Sequence, residues 1–292
     1  MERTGNPVSL EEAEAFCRRL TSGHYENFSV ASWLLPRRLR RHFANIYAYC
    51  RMADDFADES QSADEALRRL DAWQEQLAAC YQGKARHPVF IALRRTILQF
   101  DIPVKPFQDL LDAFRQDQRQ TRYRTWEELL EYCSRSANPV GRLVLCVIGH
   151  RDEHRQALSD STCTALQLAN FWQDVSRDFA RGRVYIPSEL LDLHGYTEAS
   201  LAQGIVNARW VSLMKDLLER TRALFTQGLQ LPPLLTGRTR LAVELFSRGG
   251  LSILRAVERI DYDTLHHRPC LTAWDKRRLV AAGLLRLSPE RA

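Results

Sequence analysis

The stretch YAYCRMADDFADES, residues 47–60, sets three carboxylates, Asp54, Asp55 and Asp58, close to Arg51 and Tyr47. A helix turns by about 100° per residue, so Tyr47, Arg51, Asp54 and Asp58 fall within roughly 60° of one another, with Asp55 just beside them. Aspartate is a poor helix former, and like charges on one face repel. Taken alone, the segment reads equally well as a solvated helix face partly neutralised by Arg51. A second polar stripe lies in ALQLANFWQDVSRDFARGRVYIP, residues 165–187. On a single helix Gln167, Asn170, Asp174 and Asp178 share one face within roughly 80°, with Leu168 and Phe171 on the apolar side. Here a salt-bridged surface stripe fits less well. Gln167 and Asn170 belong to no charge pattern, and amides in a helix fit for burial need partners.

Two helices that each present carboxylates suggest a site for a hard cation. Magnesium takes oxygen ligands, keeps waters, and is usually held by one or two carboxylates plus substrate phosphates. Two such stripes would hold a diphosphate through Mg²⁺, with Mn²⁺ as an alternative ion. The metal would cancel the carboxylate repulsion, and Arg51 would neutralise a phosphate oxygen directly. The chain carries no P-loop and no GxGxxG fingerprint. Its eight histidines form no HExxH pattern, and the one HxxxH, His150 to His154, lies far from both acidic stripes in sequence, which argues against imidazole ligation there.

The elements that must position these residues are helices. Three-and-four apolar spacing predicts them over residues 9–20, 37–59, 63–81, 88–100, 103–119, 126–135, 141–150, 154–179, 208–228, 238–260 and 273–287. Breaks fall at Gly83, Pro103, Asn138-Pro139, Gly182 to Pro187, His194-Gly195 and Pro232-Pro233. No alternation of period two and no Asn-Gly or Asp-Gly hairpin signal is present. The expected fold class is all-α, a single domain over residues 8–288 after a loose tail at residues 1–7. With 292 residues, 45% apolar and 26% charged, the chain can bury a sizeable core.

The net charge of +5 (41 basic against 36 acidic residues) is too small to argue for nucleic acid, and no nucleic-acid recognition motif is visible. Seven cysteines, odd in number and without a CxxC, point to reduced thiols in a cytoplasmic protein rather than to a disulfide framework or a zinc site. The longest apolar runs are too short to span a bilayer. The dense cluster Arg37-Arg38-Leu39-Arg40-Arg41 reads either as a solvated helix start or as a contact with anionic lipid headgroups. The protein is therefore expected to be soluble, with peripheral association on the inner face of a membrane open.

YxxxRxxDDxxDE in the first quarter of an all-α chain, QxxNxxxDxxxD after its middle and the RGRVYIP that follows together resemble the squalene/phytoene synthase family of isoprenoid enzymes. The resemblance runs from about His24 to Leu287. It implies an isoprenoid synthase helical bundle around a central cavity. HYENFSVASWLLPRRLR (24–40), YCSRSANPVGRLVL (132–145) and RAVERIDYDTLHHRP (255–269) look like the hopanoid-pathway branch, which includes hydroxysqualene synthase. The resemblance implies that Asp54, Asp55, Asp58, Asp174 and Asp178 ligate Mg²⁺. Gln167 and Asn170 would line the same site. Arg51 and Arg183 would hold diphosphate oxygens, and Tyr47 and Tyr185 would present hydroxyls. Tyr132 sits where the family places a cavity tyrosine. Asp117 sits on a helix that carries an acidic residue in relatives.

Two departures from the family pattern bear on the substrate. Squalene and dehydrosqualene synthases tend to carry Ser-x-Ser-Phe where this chain has Tyr25-Glu26-Asn27-Phe28. Asn27 still donates to phosphate, whereas Glu26 repels it, which speaks against a second diphosphate site. A small, glycine-containing turn is replaced by Arg135-Ser136-Ala137-Asn138-Pro139. Both departures point to one pre-formed diphosphate substrate and to a polar group near the cation; the resemblance implies presqualene diphosphate, ionised and then captured by water. Asn138 or Tyr132 would hold that water, and Phe28, Val140, Leu143, Leu168 and Phe171 would line an apolar tunnel, a plain core role being equally open for each. No nicotinamide cofactor is expected for this route.

Two rival readings stay open. One is head-to-head condensation of two farnesyl diphosphates to presqualene diphosphate, squalene or dehydrosqualene. The other is a non-catalytic relative, such as the respiratory complex I assembly factors, which tend to lose the aspartate pairs that are intact here. The pathway implied by the resemblance would also contain a presqualene diphosphate synthase as a partner enzyme.

Overall fold

The computed structural model describes residues 8–23, 36–272 and 274–275. Asn27, Phe28, the expected tail at 1–7 and nearly all of the helix expected at 273–287 lie outside the described residues. Among the described residues the chain forms helices and no strand. The contacts gather it into two compact units, each built from two separate chain segments: Met1–Arg119 with Arg142–Arg151, and Gln120–Gly141 with Asp152–Ala292.

The first unit holds α1 (Leu10–Gly23), α2 (Arg37–Asp58), α3 (Ala63–Tyr81), α4 (Pro88–Phe100) and α5 (Lys105–Asp117). Local chemistry sets several of these ends. Ser62 caps α3 by accepting from the Glu65 amide, and Glu65 in return accepts from the Gln61 amide at 3.0 Å, which satisfies amides that lack helical partners. His87 caps α4, with Pro88 in the first turn, where a missing N–H costs nothing. α2 packs on α1, α3, α4 and α5. Its buried face carries Ile46, Tyr49, Ala53 and Ala57. Tyr49 sits in an aromatic cluster with Trp73, Phe90 and Phe107, and its hydroxyl donates to the Phe107 carbonyl at 2.9 Å. The helical period places this face opposite the acidic stripe, so core burial fixes which way Arg51 and the aspartates face.

α6 (Trp126–Ser136) opens the second unit, and α7 (Asn138–Val147) crosses the division between the units. The second unit continues with α8 (Glu153–Gln173), α9 (Val175–Ala180), α10 (Ser188–Leu193), α11 (Glu198–Ala202), α12 (Ala208–Gly228) and α13 (Gly237–Arg259). α8 packs against α6, α12 and α13. The α8–α12 seam is anchored by the buried Trp172 indole, which donates to Thr221 Oγ1 at 2.8 Å.

The structure corrects the expected helix boundaries in three places. The helix expected over 154–179 stops at Gln173 and resumes as α9, because Asp174 leaves the helical region at φ −108° and ψ 17°. The ladder is hardly interrupted, since the Asp174 amide donates to the Asn170 carbonyl and the Asp178 amide to the Asp174 carbonyl, both at 2.9 Å. The helix expected from Gly141 begins at Asn138, with Pro139 tolerated in its first turn. The segments 188–193 and 198–202 form short helices that no long apolar period announces.

Gly228, at the end of α12, lies against Thr162 of α8. A Cβ there would stand 3.0 Å from the Thr162 nitrogen and 3.1 Å from its Cα, closer than side chains normally approach backbone. Gly228→Ala is predicted to destabilise the protein by about 1–3 kcal/mol through overpacking of this seam. Denaturant unfolding checks it, and an unchanged midpoint would contradict the close approach.

Candidate active site

In the first unit, α2 brings Tyr47, Arg51, Asp54, Asp55 and Asp58 onto one face, as the spacing predicts. Tyr47, Arg51, Asp54 and Asp55 are half-buried and Asp58 is exposed. Arg51 reaches one turn along the helix to both carboxylates, with Nη1 3.1 Å from Asp54 Oδ2 and Nη2 2.5 Å from Asp55 Oδ1. Asp55 Oδ1 has no hydrogen bond of acceptable geometry despite its burial, so the ion pair alone supports it. Burial pushes the Tyr47 hydroxyl above its ordinary range, with Arg51 pulling the other way, so it stays a protonated donor.

The second stripe, in the second unit, is built across the α8–α9 kink. Gln167 is half-buried. Asn170 is exposed, which corrects the expectation that both amides are buried and need protein partners. Asp174 is held by Arg268 in a two-pronged ion pair, Nε to Oδ1 at 2.5 Å and Nη2 to Oδ2 at 2.9 Å, with Arg177 farther off at 3.7 Å. The hydrogen bonds to Asp174 push the Arg268 guanidinium pKa above its usual value despite partial burial. Asp178 and Arg183 border a shallow, mostly apolar dent with Phe171, Val175, Tyr185 and Ile186, with room for about one water molecule.

Arg183 and Tyr185 are placed by backbone pairing. The Arg183 amide donates to the Asp178 carbonyl at 2.8 Å, after a turn that needs a positive φ at Gly182. The segment 121–124 runs alongside, through Val184 to Thr121 at 2.9 Å and Ser188 to Tyr123 at 3.0 Å. This pairing stacks four rings. Phe171 and Tyr185 lie face to face at 3.7 Å, and Tyr132 and Tyr123 follow at 6.0 and 5.8 Å from Tyr185. Tyr132 is therefore buried in an aromatic pile. Asn138 is buried too, and its Oδ1 accepts from Thr164 Oγ1 at 2.9 Å. Leu143 and Leu168 are fully buried.

The donor set fits magnesium of one particular kind. Among the described residues no group of three or more His, Cys, Asp or Glu side chains forms a ready cage for a metal. The carboxylates, three on α2 and two across the α8–α9 kink, are all oxygen donors, and those of Asp54, Asp55 and Asp174 are balanced by guanidinium groups. Such a set suits an ion that brings phosphate oxygens with it.

Two participants were not assigned from the sequence. Arg268 meets Asp174 across 94 residues from a non-helical segment, so no periodicity connects them. Tyr123 precedes α6 in an irregular strand-like stretch, and its tie to Tyr185 follows only from the backbone pairing of 121–124 with 184–189.

The sequence matches the profile of the family described as squalene/phytoene synthase over residues 21–275. It is 31% identical to a phytoene synthase of Arthrospira platensis, over 96% of this chain and 95% of that one. It is likewise 31% identical to a 15-cis-phytoene synthase of Synechococcus elongatus, over 96% and 94%. The structure is similar to that of squalene synthase HpnC from Alicyclobacillus acidocaldarius, with a TM-score of 0.84 and 43% identity over 88% of this chain and 97% of that one. It is also similar to a dehydrosqualene synthase in complex with ligand, with a TM-score of 0.87 and 25% identity over 95% and 97%. The all-α isoprenoid synthase fold expected from the motifs is the fold observed.

Proposed function

The chain belongs to the squalene/phytoene synthase family, whose members act on prenyl diphosphates such as farnesyl diphosphate, and we propose that it converts presqualene diphosphate and water to hydroxysqualene and diphosphate. The observation that carries the diphosphate chemistry is the pairing of each acidic motif with an arginine, Arg51 on Asp54 and Asp55, Arg268 on Asp174. The choice of branch is supported by the 43% identity to squalene synthase HpnC and by Glu26-Asn27 in place of paired serines.

Asp54, Asp55 and Asp58 on one motif, and Asp174 and Asp178 on the other, would each ligate magnesium. Magnesium bound with the diphosphate supplies positive charge to the oxygens that become the leaving group. Arg51 and Arg183 donate N–H groups to the same class of oxygen, where their charge counts most as the C–O bond breaks. Tyr47 would add a hydroxyl beside the first motif, and Gln167, Asn170 and the Tyr185 hydroxyl would add polar groups beside the second. The pile of Tyr123, Tyr132, Phe171 and Tyr185 keeps bulk water from the cation that ionisation leaves. Thr164 fixes the Asn138 carboxamide, and its Nδ2 group orients the one water whose oxygen captures the cation. The proton lost from that water leaves with the diphosphate.

The condensing reaction is the second reading, favoured by the phytoene synthases among the relatives. Purified protein, Mg²⁺ and presqualene diphosphate, incubated without nicotinamide and analysed by mass spectrometry, separate the two. Hydroxysqualene is the expected product, and Asn138→Ala is expected to shift the product away from the alcohol. No product from presqualene diphosphate, with farnesyl diphosphate consumed instead, would overturn the reading in favour of condensation.

No helix among the described residues is long and apolar enough to cross a membrane. A lipophilic substrate and product suit a peripheral contact, and Arg37 and Arg38 stand exposed at the start of α2. Flotation with anionic liposomes is expected to carry the protein, and carriage unchanged after neutralising Arg37 and Arg38 would remove the cluster from the account.

A further inference from the structure

We propose that Arg268 gates the second acidic motif. The strap of residues 261–270 holds Asp174 through Arg268, and a divalent cation arriving with a diphosphate competes with the guanidinium and frees the strap. The inference rests on the reading of Asp174 as a metal ligand.

Both oxygens of Asp174 are taken by Arg268, and the carboxylate side chain is only 13% exposed. The guanidinium covers one side of both Asp174 oxygens, and its positive charge at 2.5 and 2.9 Å opposes a divalent cation on the same carboxylate, so the two compete for Asp174. The neighbouring side chain belongs to the same contact, since Gln173 Nε2 donates to the Pro269 carbonyl at 2.5 Å. The strap thus closes on the motif at two consecutive residues. Arg177, 3.7 Å from Asp174 Oδ1 and largely exposed, is too loosely placed to replace Arg268.

The strap is built to move as a piece. α13 ends at Arg259, and the chain then turns through Asp261 at φ 51° and Tyr262 at φ 64°, two successive left-handed residues that are not glycine. Such conformations persist only where the surroundings hold them. Here the Trp210 indole donates to the Tyr262 carbonyl at 2.8 Å, and Lys215 stands 5.7 Å over the Tyr262 ring. Beyond this pinned turn, Thr264 is fully buried while its Oγ1 makes no hydrogen bond, which leaves the docked strap short of its best state. His266, His267 and Arg268 are exposed. Competition for one carboxylate makes the coupling reciprocal: what the strap gains from Asp174 weakens binding of the cation there.

Hydrogen exchange of the full chain over residues 260–272, with and without Mg²⁺ plus inorganic pyrophosphate, tests this. Exchange of the strap amides is expected to rise about fivefold or more when both are added. Arg268→Gln is expected to exchange fast from the outset. In the presence of pyrophosphate it should bind Mn²⁺ about fivefold more tightly by electron paramagnetic resonance, where loss of a merely structural contact would weaken binding or leave it alone. Strap exchange that stays unchanged or slows, while Asp174→Asn still abolishes Mn²⁺ binding, overturns the gate and leaves the metal role standing. Mn²⁺ binding indifferent to Asp174→Asn overturns both.

Discussion

Carboxylates gathered on one helix face repel one another, and everything distinctive in this molecule follows from how that repulsion is offset. In the first unit the offset is local: Arg51 sits one turn before Asp54 and Asp55 and bridges both. In the second unit it is long-range: Arg268 arrives from the C-terminal segment to hold Asp174. Neither arrangement is a finished metal cage. Both are partly exposed ion pairs, weak enough to be exchanged. A site of this kind gains most when a doubly charged cation and a polyanion arrive together, because the cation competes with the guanidinium for the carboxylate and the anion offsets the cation's remaining charge.

The apolar surroundings make that exchange matter. α2 is locked by Tyr49, Trp73, Phe90 and Phe107 on its far side, and α8 by Trp172 and the close approach at Gly228. These contacts hold the carboxylate stripes on rigid helices. The pairing of residues 121–124 with 184–189 then turns Tyr123 and Tyr185 onto Tyr132 and Phe171. The pile sets an aromatic wall beside Asp178 and Arg183, an arrangement that the proposed reaction through a cation would use to keep loose water away.

Much of this was legible in the sequence. The first stripe was, because α2 keeps an unbroken period from Arg37 to Asp58 and Tyr49 opposes the acidic face. The order of the two motifs was, and with it the family. The kink at Asp174 was not, because the hydrogen-bond ladder runs almost intact through it and no glycine or proline marks the place. Asn170 was expected to be buried by continuation of an apolar pattern, yet it stands at the exposed edge of α8. Arg268 was invisible to any local pattern, since its partner lies in another helix and its own segment has no period. Helical periodicity reports which residues share a face, and it reports nothing about which distant loop closes over that face.

The central claim is that carboxylates of both motifs serve binding of a metal–diphosphate. Calorimetric titration of inorganic pyrophosphate into the protein, with and without Mg²⁺, tests it most directly on the wild type, Asp54→Ala and Asp174→Ala. The account predicts tight binding only when Mg²⁺ is present, lost in either variant while the unfolding midpoint stays within a few degrees of the wild type. Binding of equal strength without Mg²⁺, or in both variants, would contradict it.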